Sequence, residues 1–226
     1  MSEDIYSIAI DGPSGAGKST IAKGLAKRLN IVYVDTGAMY RAVGLKVLRA
    51  GGSPDDTPFV IGLLPSTVVT IKFSEGVQRV FLDGEDVSGL IRTQEVSNAA
   101  SKVSAIPEVR FKLVELQKKL AENTSVTMDG RDIGSYVLPG SRYKFYVTAS
   151  PEARTIRRYR ELEKKGALCG IGFNELLLEM IERDKRDSGR DCMPLKKAPD
   201  AILVDTTYLG IEESIDAVMK YIKVGG

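Results

Sequence analysis

Residues 12–19, GPSGAGKS, have the composition and spacing of a phosphate-binding loop. The segment fits the pattern G-x-x-x-x-G-K-S/T, in which glycines let backbone N–H groups approach phosphate oxygens. Lys18 would reach the β- and γ-phosphates of a nucleoside triphosphate, and the Ser19 hydroxyl is a natural Mg²⁺ ligand. The alternative is a glycine-rich turn that holds no ligand. The predicted triphosphate site comprises Gly12, Pro13, Ser14, Gly15, Ala16, Gly17, Lys18, Ser19 and Thr20.

The segment VDTGAMYR, residues 34–41, adds a hydroxyl, a phenol and a guanidinium group next to a predicted strand end. Thr36 lies in the loop after the strand, and Tyr40 and Arg41 project from the helix that follows. An arginine in this position can bind a phosphate through two parallel hydrogen bonds. The alternative for Arg41 is a surface side chain on an ordinary helix.

The segment TMDGRDIG, residues 127–134, places three charged side chains at the end of another predicted strand. These are Asp129, Arg131 and Asp132. In parallel sheets, ligands bind at the carboxyl ends of the strands, and buried charges without partners would be costly there. We expect Asp129 to serve as the acidic partner of Mg²⁺, acting through a water molecule.

A third charged segment, RDKRDSGR at 183–190, has two interpretations. Mixed charges of this kind are usually a solvated helix face. Alternatively, Arg183 and Asp187 lie four residues apart on one helical face, and together with Arg190 they would serve an anionic ligand. Lys185 and Arg186 would then face water.

All of these segments need a scaffold on which strand ends converge, and the hydrophobic pattern predicts one. Apolar runs predict strands at 5–10, 31–35, 125–130, 142–149 and 200–206. Helical periodicity covers 19–30, 37–52, 107–123, 150–166, about 174–188 and 210–224. Pro107 and Pro151 stand at favourable first positions of helices, and Ser150 is the expected N-cap. Alternating strands and helices predict an α/β fold with a parallel β-sheet flanked by helices.

Residues about 60–100 interrupt this alternation and predict an inserted subdomain. From 66 to 87 apolar and polar residues alternate, with turns at Glu75-Gly76 and Asp83-Gly84, which is typical of antiparallel strands. We expect the insert to help cover a bound ligand, and a purely structural role is the alternative.

The composition narrows the chemistry further. The 226-residue chain contains no histidine, which excludes histidine-based triads. Its two cysteines, Cys169 and Cys192, lack metal-ligand spacing and suit a reducing compartment. A net charge of +2 provides no general attraction to nucleic acid or membranes, so an anion must be bound by a local arrangement. Because the chain has no apolar run of about 18 residues and no leader-like start, we expect a cytoplasmic protein. A monomer is the default expectation.

Five segments, taken together and in order, resemble the bacterial cytidylate kinases, a family of nucleoside monophosphate kinases. The segments are IDGPSGAGKST, YVDTGAMYRA, VSNAASKVSAIPEVR, MDGRDIG and RDKRDSGR, and the resemblance covers essentially the whole chain. It implies the P-loop NTPase, adenylate-kinase-like fold, with a lid and an antiparallel β insert. It also implies phosphoryl transfer from MgATP to the 5′-phosphate of CMP or dCMP, giving ADP and CDP or dCDP.

The resemblance implies roles for individual residues as well. Residues 12–20 with Arg157 and Arg158 would bind ATP, and Mg²⁺ is the implied cofactor. The implied catalytic residues are Lys18, Arg131, Arg183 and Arg190. The implied CMP-binding residues are Thr36, Tyr40, Arg41, Ser101, Arg110, Arg131, Asp132, Arg183 and Asp187. Ser101, Arg110 and Asp132 would read the cytosine edge, because a carboxylate accepts from the exocyclic amine that uracil lacks.

By the same resemblance, residues 1–226 form a single kinase unit with three parts. The core would comprise residues 1–35, 104–150 and 190–226. The monophosphate-binding region would comprise residues 36–103, and residues 151–189 would form a lid over ATP. The expected partners are ATP and CMP or dCMP, with no nucleic acid and no membrane. Two alternatives are another P-loop small-molecule kinase, of the shikimate or dephospho-coenzyme A type, and a nucleotide-binding switch protein. The base-reading residues argue against the first, and the missing N-K-x-D motif argues against a GTPase.

Overall fold

Two β-sheets organise the computed structural model of the protein, which describes residues 5–74, 76–168 and 170–223. The strands are β1 (Ser7–Asp11), β2 (Val32–Asp35), β3 (Val69–Ser74), β4 (Val77–Leu82), β5 (Glu85–Asp86), β6 (Val126–Gly130), β7 (Tyr143–Thr148) and β8 (Ile202–Asp205). The larger sheet is parallel and has the order β2–β6–β1–β7–β8. The smaller sheet, β3–β4–β5, is antiparallel. The predicted fold class is therefore confirmed.

Helices connect and cover the parallel strands. They are α1 (Lys18–Leu29), α2 (Thr36–Arg49), α3 (Thr57–Leu63), α4 (Gln94–Val103), α5 (Pro107–Leu120), α6 (Pro151–Lys164), α7 (Phe173–Gly189) and α8 (Ile211–Met219). The expected caps are present, since Pro107 and Pro151 begin their helices and the Ser150 hydroxyl accepts from the N–H of Ala153 at 3.2 Å. The last helix ends at Met219, five residues before its predicted end at Val224, which lies outside the described residues.

The alternation of side chains along β1 divides the core into two layers. Ile8 and Ile10 are fully buried against α1 and α8, whereas Ala9 faces the layer built by α2, α4 and α5. Both faces of the strand are thus covered by apolar helices, which explains why its sequence reads as a continuous apolar run. Removal of this apolar area from water is the main force that holds the helices on the sheet.

The inserted region is only partly antiparallel. The small sheet spans 69–86, and the turn at Asp83-Gly84 has positive φ angles of 52° and 91°, as a tight hairpin requires. Glu75, at the other predicted turn, lies outside the described residues. Helices α3 and α4 flank the sheet, and the alternating segment predicted at 66–87 corresponds to the sheet itself. Asp56 and Thr93 cap these two helices through their side chains.

Close packing of α2 on α4 brings the insert against the core. A Cβ atom on Gly44 would lie 2.9 Å from the backbone nitrogen of Ala100, so only glycine allows this approach. The approach places Ser101 of α4 and Tyr40 of α2 in the wall of one cavity. The carboxyl ends of β1, β2 and β6 meet at the same cavity, because Asp11 pairs with Gly130 and Asp35 with Asp129.

Candidate active site

The glycine-rich loop joins β1 to α1 at the centre of the sheet. Gly12 has a φ of +146°, and a Cβ atom there would lie 1.9 Å from the carbonyl oxygen of Val147, so no other residue fits. Helix α1 begins without a side-chain cap and without an acidic residue in its first turn. Its first N–H groups and the positive end of its dipole are therefore available to an anion.

Lys18 and Arg154 fix the shape of this loop. Lys18, which is 5% exposed, donates to the carbonyl oxygen of Pro13 at 2.6 Å. Burial and the charge of Arg131 lower the pKa of Lys18, and negative phosphates at the loop would raise it again. Arg154 donates to the carbonyl oxygen of Ser14 at 3.0 Å and forms a bidentate pair with Asp184 at 3.1 and 2.6 Å.

An oxygen-rich corner lies beside the start of α1. The Ser19 hydroxyl donates to Asp129 Oδ2 at 2.8 Å, and the Tyr33 hydroxyl donates to Asp129 Oδ1, also at 2.8 Å. Because the Ser19 hydroxyl donates this hydrogen bond to the carboxylate, the lone pairs of its oxygen remain available to a cation. Burial and the neighbouring charge of Asp35 raise the pKa of Asp129, and a divalent cation would favour its ionised form. Hydroxyl and carboxylate oxygens suit Mg²⁺, so these residues fit the implied ion.

The start of α2 presents Arg41 to the same cavity. Asp35 caps the helix by accepting from the N–H of Ala38 at 3.0 Å, and its second oxygen accepts from Arg41 Nη2 at 2.7 Å. The Thr36 hydroxyl donates to the carbonyl oxygen of Asp129 at 2.7 Å, so it joins the ends of β2 and β6.

A buried cluster of Arg110, Asp132 and Arg190 lines the same cavity. Arg110 Nη2 donates to Asp132 Oδ2, and Arg110 Nη1 donates to the carbonyl oxygen of Ser104 at 3.1 Å. The Arg110 guanidinium also lies over the Tyr40 ring, 5.5 Å from its centre. Arg190 Nη2 lies 3.8 Å from Asp132 Oδ1. Asp132 thus keeps one carboxylate oxygen without a close protein donor in this cluster.

Asp187 connects α7 to the end of β6. Its carboxylate accepts from Arg131 Nε at 2.7 Å, so its hydrogen bond comes from Arg131 rather than from Arg183 one helical turn away. Burial works to raise the pKa of Asp187, but the charges of Arg131 and Arg183 outweigh it and hold the pKa below its ordinary value. Burial and Arg131 lower the pKa of Arg183 to about 10, which leaves it charged at neutral pH.

Asp11 ties the glycine-rich loop to the segment that carries Asp132. Its two carboxylate oxygens accept from the N–H groups of Ile133 and Gly134 at 2.7 and 2.8 Å. These residues begin a single π-helical turn, Ile133–Val137. Burial raises the pKa of Asp11 to about 7, although the two N–H donors act in the opposite direction. Asp11 was not among the residues predicted from the sequence, although it ends an apolar strand at the same sheet edge as Gly130.

Helices α6 and α7, at the predicted lid, bring further cations to the cavity. Arg157 donates to the hydroxyl of Thr206 at 3.1 Å and to the same residue's carbonyl oxygen. Arg158 donates to Gln94 Oε1 at 2.5 Å, which joins α6 to the start of α4. Lys185 is exposed, as expected, and Arg186 is exposed at the rim of the cavity.

One cavity of about 770 Å³ unites these groups. All the sequence-predicted site residues except Gly12, Pro13 and Ala16 line it. Its walls carry 13 Lys and Arg side chains against seven Asp and Glu, whereas the whole chain has 32 against 30. The positive charge is therefore concentrated where the sequence analysis expected a local arrangement for anions.

Several donors in this cavity are buried without an acceptor among the described residues. They are Arg41 Nε, Ser101 Oγ, Arg110 Nε, Arg183 Nε and Arg190 Nη2. A buried donor without a partner costs about 1–3 kcal/mol, and such groups in native proteins call for an explanation. A ligand rich in acceptor atoms, such as a phosphate joined to a polar base, would satisfy them.

The cavity also contains residues that the sequence analysis did not single out. Gln94, Ser97 and Asn98 reach it from α4, and Asp35 and Arg92 flank it. The spacing of Arg154 relative to Arg157 and Arg158 on α6 could have indicated its inward position.

None of the helices within the described ranges is long and apolar enough to cross a membrane.

Comparison with known proteins places the chain in a family. The family model for cytidylate kinase matches residues 8–224. A cytidylate kinase from Caldicellulosiruptor bescii is 51% identical over 94% of this chain and 93% of its own length, and one from Geobacillus sp. (strain WCH70) is 48% identical over 95% of each. The crystal structure of an uncharacterized protein from Eubacterium ventriosum shares the fold alone, with a TM-score of 0.54 at 15% identity over 96% of this chain and 98% of that one. With this match over nearly its full length, the chain belongs to the cytidylate kinase family.

Proposed function

We propose that this protein transfers the γ-phosphoryl group of MgATP to the 5′-phosphate of CMP or dCMP. The observation that carries the proposal is the group of buried, unpartnered donors around Asp132 and Arg41, which line the same cavity as the glycine-rich loop. One end of the cavity suits a triphosphate, and the other suits a monophosphate with a polar base. Membership of the cytidylate kinase family supports the same reaction.

In this reaction the protein aligns two phosphates and stabilises the charge between them. The glycine-rich loop, Lys18 and the start of α1 would hold the β- and γ-phosphates. Arg41 and Arg131 would bind the acceptor phosphate, and Arg183 and Arg190 would stabilise charge on the oxygens of the transferring group. The acceptor is already ionised, so the reaction needs no strong general base, which agrees with a chain without histidine.

The base would be read by the buried cluster of Arg110, Asp132 and Arg190. Asp132 Oδ1 has no close protein donor in that cluster and would accept from the 4-amino group of cytosine. Arg110 Nε and Ser101 Oγ, which lack partners, would serve the ring acceptors. Tyr40 holds the Arg110 guanidinium in place by stacking. Asp187, together with Arg183, would contact the sugar.

Ser19 would hold Mg²⁺ directly and Asp129 would hold it through water. The ion supplies charge neutralisation at the phosphate oxygens when it is bound. We also propose that Arg157 and Arg158 act on ATP from a lid at 151–189, which closes to exclude water. This single kinase unit would act as a cytoplasmic monomer, with no nucleic acid or membrane partner.

A coupled assay of ADP release with a panel of acceptors tests the proposal. CMP and dCMP should give the highest kcat/KM, with UMP well below them and shikimate without effect. Faster turnover with UMP or a non-nucleotide would favour another small-molecule kinase. ATP binding without CMP-stimulated ATP consumption would favour a switch protein. Lys18→Met should abolish turnover, while Lys185→Met, at an exposed position outside the cavity, serves as the matched control.

A further inference from the structure

The side chain of Gln78 forms hydrogen bonds with the backbone of β2, the edge strand of the large sheet. Strand β2 pairs with β6 on one side only. On its other side, the N–H of Asp35 donates to Gln78 Oε1 at 2.7 Å, and Gln78 Nε2 donates to the carbonyl oxygen of Asp35 at 3.1 Å. One primary amide therefore makes both bonds that a residue of a neighbouring strand would make. The small sheet is thereby joined to the last residue of β2.

Asp35 connects this amide contact to the arginine that faces the acceptor phosphate. Its carboxylate accepts from the N–H of Ala38 and from Arg41 Nη2, so the orientation of Asp35 sets both the first turn of α2 and the direction of Arg41. The Arg41 and Asp35 side chains are only 21% and 17% exposed, which limits alternative orientations. Arg41 Nε remains without an acceptor.

Gln78 itself is held by the packing of its strand on α2. Val80 and Leu82 of β4 are buried in the same core layer as α2. Farther along, Lys46 pairs with Asp83 at 2.7 Å and Arg49 pairs with Glu85 at 2.6 Å. The small sheet thus lies along α2, and Gln78 contacts Asp35, the N-cap residue of that helix.

We propose that Gln78 is a positioning residue that directs Arg41 toward the acceptor phosphate by holding the backbone of Asp35. This gives the inserted sheet a part in phosphate recognition rather than only a covering or structural role. The proposal rests on the proposed function, since it assumes that Arg41 binds the phosphate of CMP.

Two variants and a neighbouring control test the proposal by calorimetric titration. Gln78→Met removes both hydrogen bonds at nearly constant volume, and Gln78→Glu keeps the acceptor but sets a carboxylate against the carbonyl oxygen of Asp35. Both should raise the Kd of CMP about tenfold, which corresponds to about one lost hydrogen bond. In both variants the Kd values of ATP and of cytidine, which lacks the phosphate, should change less than about twofold. The control variant is Arg79→Ala, because Arg79 lies on the opposite, solvent-facing side of β4. Its Kd for CMP should also change less than about twofold.

The path through Arg41 is tested by a double variant. In an Arg41→Met background, Gln78→Met should weaken CMP binding less than about twofold further, because the residue on which Gln78 acts is gone. Full additivity, equal weakening of CMP and cytidine, or unchanged CMP binding in both Gln78 variants would overturn the proposal. Failure of both variants to fold, judged by thermal unfolding, would assign Gln78 a structural role and overturn it as well. A wild-type protein that binds CMP without phosphorylating it would refute the proposed function, while the titrations would still decide the role of Gln78.

Discussion

Replacement of Asp132 by Asn should reduce the preference for cytosine over uracil without weakening ATP binding. The Asp132 side chain is 6% exposed, and its Oδ2 is already bound by Arg110, so Oδ1 is the oxygen left for a base. Cytosine presents an amine to that oxygen, whereas uracil presents a carbonyl oxygen. In the variant, an amide N–H can face uracil instead.

The magnitude follows from the loss of one hydrogen bond to a buried charge. Such a bond contributes about 1.5–3 kcal/mol, and each 1.4 kcal/mol is about a factor of ten. The ratio of kcat/KM for CMP to that for UMP should therefore fall by about 10- to 150-fold. The KM of ATP should stay within about threefold, because Asp132 makes no hydrogen bond to the glycine-rich loop.

Steady-state rates with CMP and UMP at saturating ATP measure this ratio. Asp216→Asn is a suitable control, because this acid is exposed and pairs with Arg28 away from the cavity. An equal loss of kcat/KM for both bases would show that Asp132 supports the site without reading the base.

Three further predictions concern catalysis and stability. Arg190→Met should lower kcat by a factor on the order of 10³, with Lys185→Met as the exposed control, and an unaltered rate would remove Arg190 from the mechanism. Arg154→Met should lower the free energy of unfolding, measured by urea titration, by about 3 kcal/mol. The reason is that the substitution leaves Asp184 and the carbonyl oxygen of Ser14 without their donor. A change below about 1 kcal/mol would contradict this prediction. The pKa of Asp11 is about 7 when folded against an ordinary 3.8, so its contribution to stability is present below pH 4 and is lost as the pH rises through 7. From pH 5 to 7 the wild type should lose about 2 kcal/mol relative to Asp11→Asn in urea titrations, and parallel pH profiles would refute this.

The strands and helices that were predictable from the sequence are those with a clear local hydrophobic pattern. Residues 8–10 are apolar on both faces of β1 because helices cover both sides of that strand, so their sequence leaves few alternatives. Helix α4 was missed because Ser and Asn residues weaken its local helical preference. Its buried positions Val96, Ala99, Ala100 and Val103 nevertheless follow the helical spacing, and Thr93 caps it. Closer attention to this spacing would have identified the helix.

The convergence of the predicted site residues on one cavity was predictable from the sequence, but their contacts were not. Charged groups that follow strands had to meet at one sheet edge, and the structure brings them to one cavity. The sequence could not show that Arg131, rather than Arg183, donates to Asp187. It could not show the bonds between Asp35 and Gln78 either, because 43 residues separate them and an uncharged amide carries no chemical signature of its partner. The roles assigned to individual residues remain predictions.

A crystal structure with bound CMP tests the central claim most directly. We expect the cytosine amine within hydrogen-bond distance of Asp132 Oδ1, the ring beside Ser101 and Arg110, and the phosphate on Arg41 and Arg131. Arg41 Nε, Ser101 Oγ and Arg110 Nε, which now lack partners, should each acquire one from the nucleotide. A cytosine ring bound elsewhere at saturating CMP, with these donors still unpaired, would contradict the account.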